Sequence, residues 1–182
     1  MSGKTVVLTG VGRDRVGIVA EIAQILYERG CNLLDSSMTL LRGEFAVILM
    51  VELPEGQSVE TLSKDFSALH QRLGMVVHVR ELSPEEMAEP EDEPNSFIVS
   101  VYGADRPGIV AGITRKLADA RINITDVQTK STSTGPDAVF VMILEVTAPQ
   151  DITGHSVEDA LRQIGAELKV DITVQSLDVV EL

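Results

Sequence analysis

The sequence predicts an α+β fold built from two copies of one unit of about 85–90 residues each. The first observation is a repeat: the hexapeptide DRVGIV at residues 14–19 returns as DRPGIV at residues 105–110, 91 positions later. The second is that each copy follows a short apolar run. The third is that each copy opens a stretch with helical spacing of apolar residues. The chain has 182 residues, 44% of them hydrophobic, which suits two small cores rather than one large core.

The apolar runs at residues 5–8 and 97–101 predict the first strand of each unit, and the repeated hexapeptide then begins a helix. Apolar residues of this helix share one face: Ile18, Ile22, Ile25 and Leu26 in copy one, and Ile109, Ile113 and Leu117 in copy two. Gly30 follows the first helix and is a normal helix stop. Copy two has Arg121 at that position, so we expect this helix to end differently or under strain.

A second strand is predicted to begin where Asn32 and Asp35 recur as Asn123 and Asp126, and in copy one to run to about Leu41. The third strands, at residues 45–51 and 139–144, are almost continuously apolar, which predicts a central position in the sheet. The hairpin loop between these strands is four residues longer in copy two, at residues 131–137. Insertions of this kind are tolerated at surface turns.

The second helix of each unit shows the clearest periodicity. Its apolar positions are Val59, Leu62, Phe66, Leu69 and Leu73 in copy one, and Val157, Leu161, Ile164 and Leu168 in copy two. Ser58 and Ser156 are the predicted N-caps. Last strands follow at residues 75–82 and from 170 to about 180. Each unit therefore has the order βαββαβ, the ferredoxin-like arrangement of an antiparallel sheet with helices on one face.

The predicted boundaries place the first domain at residues 1–83, a linker at 84–95 and the second domain at 96–182. The linker, PEEMAEPEDEPN, holds three prolines and six acidic residues without a basic one. This composition predicts an extended, solvated spacer.

Charge and composition exclude several classes of function. The net charge is −13, and both halves and the linker are acidic. There is no basic stripe for a phosphate backbone, and with no Trp, two Tyr and four Phe there are few rings for base stacking. We therefore expect no direct nucleic-acid binding. No apolar run approaches the roughly 20 residues that cross a membrane, so we expect no membrane partner and a cytoplasmic protein.

Candidate catalytic and metal-binding residues are also sparse. Cys31 is the single cysteine and aligns with Ile122, so a packing role competes with a reactive thiol. His70, His78 and His155 lack metal-ligand spacing. No nucleophile, base and orienting group are grouped. The sequence predicts no metal, no cofactor and no enzymatic activity.

The two helix-start loops are the strongest candidates for a ligand site. A helix start presents unpaired N–H groups and the positive end of the helix dipole, which suit a carboxylate or phosphate. Glycines at these loops would let the backbone approach a ligand without an intervening Cβ. The glycines imitate a dinucleotide fingerprint, but four residues separate Gly12 from Gly17 where that motif has two. Gly12 and Gly17 also have P-loop spacing, but Ile18 and Val19 stand where a P-loop needs Lys and Ser or Thr. We reject both motifs.

The DRPGIV loop after the first strand and the Asn before the second strand resemble an ACT domain, in two registered copies. Tandem copies without an attached enzyme are similar to the regulators of the glycine cleavage system. The resemblance implies that an amino acid binds between the first-strand loop of one ACT domain and the second strand of another. Carried over by position, the ligand-binding residues are Gly12, Arg13, Asp14, Arg15, Val16, Gly17, Ile18 and Asn32 in copy one, and Gly103, Ala104, Asp105, Arg106, Pro107, Gly108, Ile109 and Asn123 in copy two.

Structural roles compete with binding at several of these positions. Asp14 and Asp105 either brace the turn or touch the ligand, and the two asparagines either contact the ligand or satisfy local backbone groups. Copy one departs from the pattern at Val16, where copy two has Pro107.

The predicted function is that of an amino-acid-sensing regulator, for an effector such as glycine or serine. It would act on metabolism or transcription through contacts with a transcription factor or a metabolic enzyme, as a homodimer. The alternative is a ligand-free structural or interaction module built from the same domains.

Overall fold

The computed structural model describes residues 4–88, 94–132 and 138–177. It divides into two compact units, Met1–Glu89 and Pro90–Leu182. The first unit contains β1 (Lys4–Arg13), α1 (Ile18–Glu28), β2 (Asn32–Leu41), β3 (Glu44–Leu53), α2 (Val59–Leu73) and β4 (Val76–Glu81). The second contains β5 (Asn95–Ala104), α3 (Ile109–Asp119), β6 (Asn123–Ser131), β7 (Val139–Ala148), α4 (Gly154–Leu168) and β8 (Val170–Ser176).

Each unit folds around one four-stranded antiparallel sheet. The strand order is β2-β3-β1-β4 in the first unit and β6-β7-β5-β8 in the second. The predicted α+β fold of two ferredoxin-like units is confirmed. The apolar third strands, β3 and β7, are inner strands as their composition predicted.

The core of each unit lies between its two helices and one face of its sheet. In the first unit, Phe45, Val47, Leu49, Val51 and Leu53 alternate along β3 and are all buried against the helices. The intervening side chains point to the other face, where Ile48 is 53% exposed. The predicted placement of the helices on one face is confirmed, and the open face retains exposed apolar residues.

The edge strand β2 lies outside the core. All ten of its residues are exposed, because β2 pairs only with β3 and the helices do not cover it. Leu33, Met38 and Leu40 are each at least half exposed on this strand. The first unit therefore presents an apolar edge.

The strand β1 is also longer than predicted. Gly12, which the resemblance assigned to the loop, pairs with Phe45 of β3, and Gly10 pairs with Val47. Their missing Cβ atoms are required by packing: a Cβ on Gly12 would lie 2.9 Å from Met75 Cγ. The helix-start loop begins only after Arg13.

Several predictions fall on residues outside the described ranges. These are the central part of the linker at residues 89–93, the inserted hairpin loop at 133–137, and the end of the last strand beyond 177. At the start of the predicted linker, residues 84–87 form turns, in which the N–H of Glu86 donates to the Ser83 carbonyl oxygen at 3.1 Å.

Candidate ligand site at the two helix-start loops

The two helix-start loops adopt the same backbone conformation. Gly17 is the N-cap of α1 at φ 99°, and Gly108 is the N-cap of α3 at φ 98°. Both angles lie in the left-handed region, which favours glycine. A Cβ at either position would meet nothing within 4 Å. Each glycine therefore leaves open space in front of the first helical turn, whose N–H groups have no intrahelical partners.

The loops are held in place from the neighbouring hairpin. The N–H of Asp14 donates to the Gly43 carbonyl oxygen at 2.8 Å, and the N–H of Asp105 donates to the Ala138 carbonyl oxygen at 2.8 Å. Neither aspartate side chain forms a hydrogen bond with the residues that the structure describes. The backbone of each aspartate thus braces the loop, and its carboxylate stays in solvent.

The remaining loop residues divide into exposed side chains and one buried anchor. Ile18 and Ile109 are 2% and 1% exposed, so only their backbone groups can reach a ligand. The exposed positions are Arg13 and Ala104, at the ends of β1 and β5, and Arg15, Val16, Arg106 and Pro107 in the loops. In the described parts of the chain the three arginines form no ion pair, so their guanidinium groups can interact with a carboxylate.

The other glycines named as site residues serve the fold. Gly103 lies in β5, and a Cβ on it would stand 2.9 Å from Val170 Cγ1 and 3.2 Å from Val170 Cα. Gly12 meets Met75 in the same way. Both glycines allow the strand after the second helix to pass close to the first strand. This packing reason could not be seen in the sequence because the contacting residues lie more than 60 positions away.

The two asparagines occupy equivalent exposed positions. Asn32 opens β2 opposite Glu52, and Asn123 opens β6 opposite Thr147. Neither side-chain amide has a hydrogen-bond partner among the described residues, and both are exposed. An amide that is not occupied by the fold is available to a ligand, for which it can donate and accept at once.

A β-bulge follows each asparagine, and the sequence did not reveal it. The register shifts between Leu33 and Asp35 in the first unit and between Ile124 and Asp126 in the second. A bulge redirects neighbouring side chains and often lies next to a functional site. The repeated polar pair, Asn followed three residues later by Asp, was the available signal.

Within one unit, the loop and the asparagine lie at opposite ends of the sheet. Asn123 is opposite Thr147, which is opposite Ser96 of β5. Ala104, at the loop, comes eight residues after Ser96 on β5, which corresponds to about 26 Å along the strand. The first unit repeats this separation between Asn32 and Arg13. The structure therefore does not bring these two predicted parts of the site together within a single unit.

A cleft of about 110 Å³ lies beside α1 in the first unit, on the side of the edge strand. Its walls include Val19, Ala23, Leu33 and Met38. The walls are mostly apolar, and the cleft opens along β2, whose outer edge pairs with none of the described strands. Such a cleft suits coverage by another protein surface more than it suits a charged ligand.

The cysteine and His70 lie in surroundings that indicate a role in the fold. Cys31 packs against the first core, and burial raises the pKa of its thiol, which disfavours the nucleophilic thiolate. His70 Nδ1 lies 3.3 Å from the Met75 carbonyl oxygen. Among the described residues, no group of three or more His, Cys, Asp or Glu side chains is arranged to hold a metal ion. None of the described helices is long and apolar enough to cross a membrane.

Comparison with known families agrees with this architecture. Two family models described as ACT domain match residues 4–80 and 97–165, one in each unit. The chain is a tandem ACT-domain protein. Both matches cover the first strand, the helix-start loop and the edge strand.

Relatives of this ACT protein include short proteins of single-unit length. A UPF0237 protein of Methanopyrus kandleri is 40% identical over 83 residues, which is 45% of this chain and 88% of the relative. A UPF0237 protein of Methanocaldococcus jannaschii is 37% identical over 76 residues, covering 41% of this chain and 84% of the relative. Part of the chain thus belongs to this group.

Two solved structures match nearly the whole chain. An unknown protein from Galdieria sulphuraria is 28% identical, with a TM-score of 0.79 and coverage of 96% of this chain and 99% of that one. A structure named as a candidate glycine cleavage system transcriptional repressor is 18% identical, with a TM-score of 0.71 and coverage of 96% and 98%. The second likeness establishes the shared fold alone.

Proposed function

We propose that this tandem ACT protein is an amino-acid-sensing regulator without catalytic activity. It binds a small amino acid such as glycine or serine and transmits occupancy through contacts with another protein. The observation that carries the proposal is the pair of left-handed glycines, Gly17 and Gly108, each with open space before a helix start. The family membership supports the same conclusion.

The chemistry of the site suits a zwitterion. The first-turn N–H groups and the positive end of the helix dipole would receive the ligand carboxylate. The side-chain oxygen of Asn32 or Asn123 would accept from the ligand ammonium. Since the loop and the asparagine of one unit are about 26 Å apart, one ligand can touch both kinds of group only when a second ACT domain supplies one of them.

A second ACT domain is therefore part of the proposal, and we propose that the protein functions as a homodimer. The open sheet faces support association: Val11, Ile48 and Val76 on the first unit and Tyr102 and Ile143 on the second are each more than 40% exposed. Such uncovered apolar surfaces mark interaction sites. Light scattering at micromolar concentration should give about twice the 19.7 kDa chain mass. A monomer, with and without ligand, would contradict the dimer.

The proposed regulation of glycine or related one-carbon metabolism follows from the fold likeness to the candidate glycine cleavage repressor. With a net charge of −13, the chain does not suit direct DNA binding. It would act on a transcription factor or a metabolic enzyme in the cytoplasm.

A thermal-shift screen of the twenty amino acids tests the function directly. A ligand at a hundred times its Kd stabilises the folded state by roughly 2.7 kcal/mol. The melting temperature should then rise by several degrees with one or a few amino acids. If none of the twenty raises it, the ligand-free interaction module becomes the better description, because the exposed sheet faces would still serve that role.

A further inference from the structure

The second unit contains a groove of about 320 Å³ between α4 and β8. Leu161, Gly165, Val170 and Ile172 form its floor, and charged side chains stand at its rim. This volume is at the lower end of the range for small-molecule sites, roughly 300–1,000 Å³. The groove lies along the edge strand β8, whereas Asn123 lies on β6 at the opposite edge of the same sheet.

The first unit places an imidazole ring at the equivalent position. Met75 and Val170 are equivalent, since each abuts the glycine near the end of the first strand of its unit. His70 Nδ1 lies 3.3 Å from the Met75 carbonyl oxygen, so the ring N–H donates to it. A Cβ on Gly165 would lie 3.4 Å from the Val170 carbonyl oxygen. Gly165 thus stands where the first unit has His70.

A second reduction in size lies in the core beneath the groove. Counting along the two 15-residue helices, Leu161 takes the position of Phe66. Both residues are almost fully buried, at 0% and 1% exposure. At the surface, the second unit has no imidazole ring beside its Val170 carbonyl oxygen, and the groove lies at that position.

The rim favours a cation. Glu158 and Asp171 line the groove together with Arg162. The Arg162 guanidinium is engaged by Asp159, with Nη2 to Oδ1 at 2.6 Å. Glu158 lies 3.8 Å from the exposed His155 ring. Asp171 forms no ion pair with the described residues. Two carboxylates therefore line the groove, together with one arginine that is already paired with Asp159.

We propose that this groove binds a small molecule that joins an imidazole ring to a cationic group. The ring replaces the His70 imidazole that the first unit provides for itself, with its N–H directed at the Val170 carbonyl oxygen. The cationic group lies between Glu158 and Asp171. The site is separate from the amino-acid loops and does not depend on their function.

Histamine is the probe, and NMR spectra of the ¹⁵N-labelled full chain are the measurement. Histamine should produce saturable shifts in amides of residues 158–172. Imidazole without the ammonium should bind at least several-fold more weakly, and histidine should bind more weakly than histamine because its carboxylate meets the acidic rim. The Gly108→Val chain, altered at the loop, should bind histamine as the parent does. An error in the proposed amino-acid site can therefore be distinguished from an error in the proposed groove site.

Matched variants define the groove. Gly165→His supplies the missing ring and should weaken histamine binding at least tenfold. Gly165→Ala adds only a Cβ, 3.1 Å from the flexible end of Ile172, and should retain binding. Dispersed spectra would establish that each variant is folded. Unsaturated shifts in the parent, or equal binding by parent and Gly165→His, would overturn the proposal.

Discussion

At the scale of single residues, Gly17 and Gly108 combine a backbone requirement with an open space. Their φ angles of 99° and 98° exclude most side chains, and nothing within 4 Å would contact an added Cβ. The repeated hexapeptide predicted the helix starts correctly. It could not separate these glycines from Gly12 and Gly103, whose role depends on contacts with Met75 and Val170 that are distant in sequence.

Replacement of Gly108 by valine should abolish ligand binding at the second unit, because the side chain would fill the space in front of the helix start. The left-handed φ of 98° also implies a loss of about 1–3 kcal/mol in the free energy of unfolding. Calorimetric titration with the amino acid found by screening measures the first effect, and denaturant unfolding the second.

Gly56→Val controls for strain alone. Gly56 has φ 85° and equally open surroundings, but it lies in the turn before α2 and belongs to no predicted site. It should lower stability to a similar extent and leave affinity unchanged. If both variants bind the ligand equally well, the loop is not the site.

Asn123→Ala should weaken binding by about tenfold or more, since a hydrogen bond to a charged group contributes roughly 1.5–3 kcal/mol. Stability should change by less than about 0.5 kcal/mol, because the amide is exposed and without partners in the described part of the chain. Asn32→Ala is the same test for a ligand contact in the first unit. We expect the second unit to dominate, because Pro107 fixes its own φ and helps set the loop. Unchanged affinity in both variants would exclude the asparagines.

At the scale of secondary structure, the start of α4 shows what local sequence could not decide. Ser156 was predicted as the N-cap by analogy with Ser58, which does cap α2 by accepting from Thr61 N at 3.2 Å. In the structure the N-cap of α4 is Thr153, and its Oγ1 accepts from Ser156 N at 3.3 Å. The prediction of Ser156 was wrong, because two hydroxyl residues three positions apart both fit the pattern.

Thr153→Ala should therefore lower the free energy of unfolding of the second unit by about 1 kcal/mol, the usual cost of losing a cap. Ser156→Ala is the matched control and should be close to neutral, since it lies in the first turn of the helix. Thermal or denaturant unfolding monitored by circular dichroism provides the comparison. If Ser156→Ala lowered the stability more than Thr153→Ala, Ser156 would be the N-cap after all.

The end of α3 confirms the expectation of strain at Arg121. This residue adopts φ 60°, where Gly30 has φ 66° in the first unit. The internal repeat was sufficient to predict this strain. Both helices end in the same left-handed backbone conformation, and Arg121 stands where the first copy has Gly30. The exposed ion pair between Arg121 and Asp151, at 3.6 Å, contributes little to stability.

Arg121→Gly should raise the free energy of unfolding by about 0.5–1 kcal/mol, because glycine adopts the left-handed conformation without the Cβ penalty. Arg121→Ala removes the same ion pair but keeps the strain, and it should give no gain. Denaturant unfolding of the three chains measures the difference. Equal stability of the glycine and alanine variants would show that strain at this position is negligible.

At the scale of the whole molecule, the apolar patterns were enough to predict two units, their element order and their inner strands. They could not predict that the loop and the asparagine of one unit lie at opposite ends of a sheet, since this depends on register. The register pairs Asn123 with Thr147 and so places it beside Ser96, far from Ala104. A ligand in contact with both groups must lie between two domains.

If the second units of two chains share such a site, two defective variants should complement each other. Gly108→Val removes the loop, and Asn123→Ala removes the asparagine. In a symmetric dimer formed by mixing them, one site combines the intact loop of one chain with the intact asparagine of the other, and the second site carries both defects. With random exchange of equal amounts, about a quarter of all sites should recover. Calorimetry on the mixture measures the recovered stoichiometry, and native mass spectrometry confirms that exchange has occurred. Full exchange without recovered binding would show that the second units of two chains do not share a ligand site.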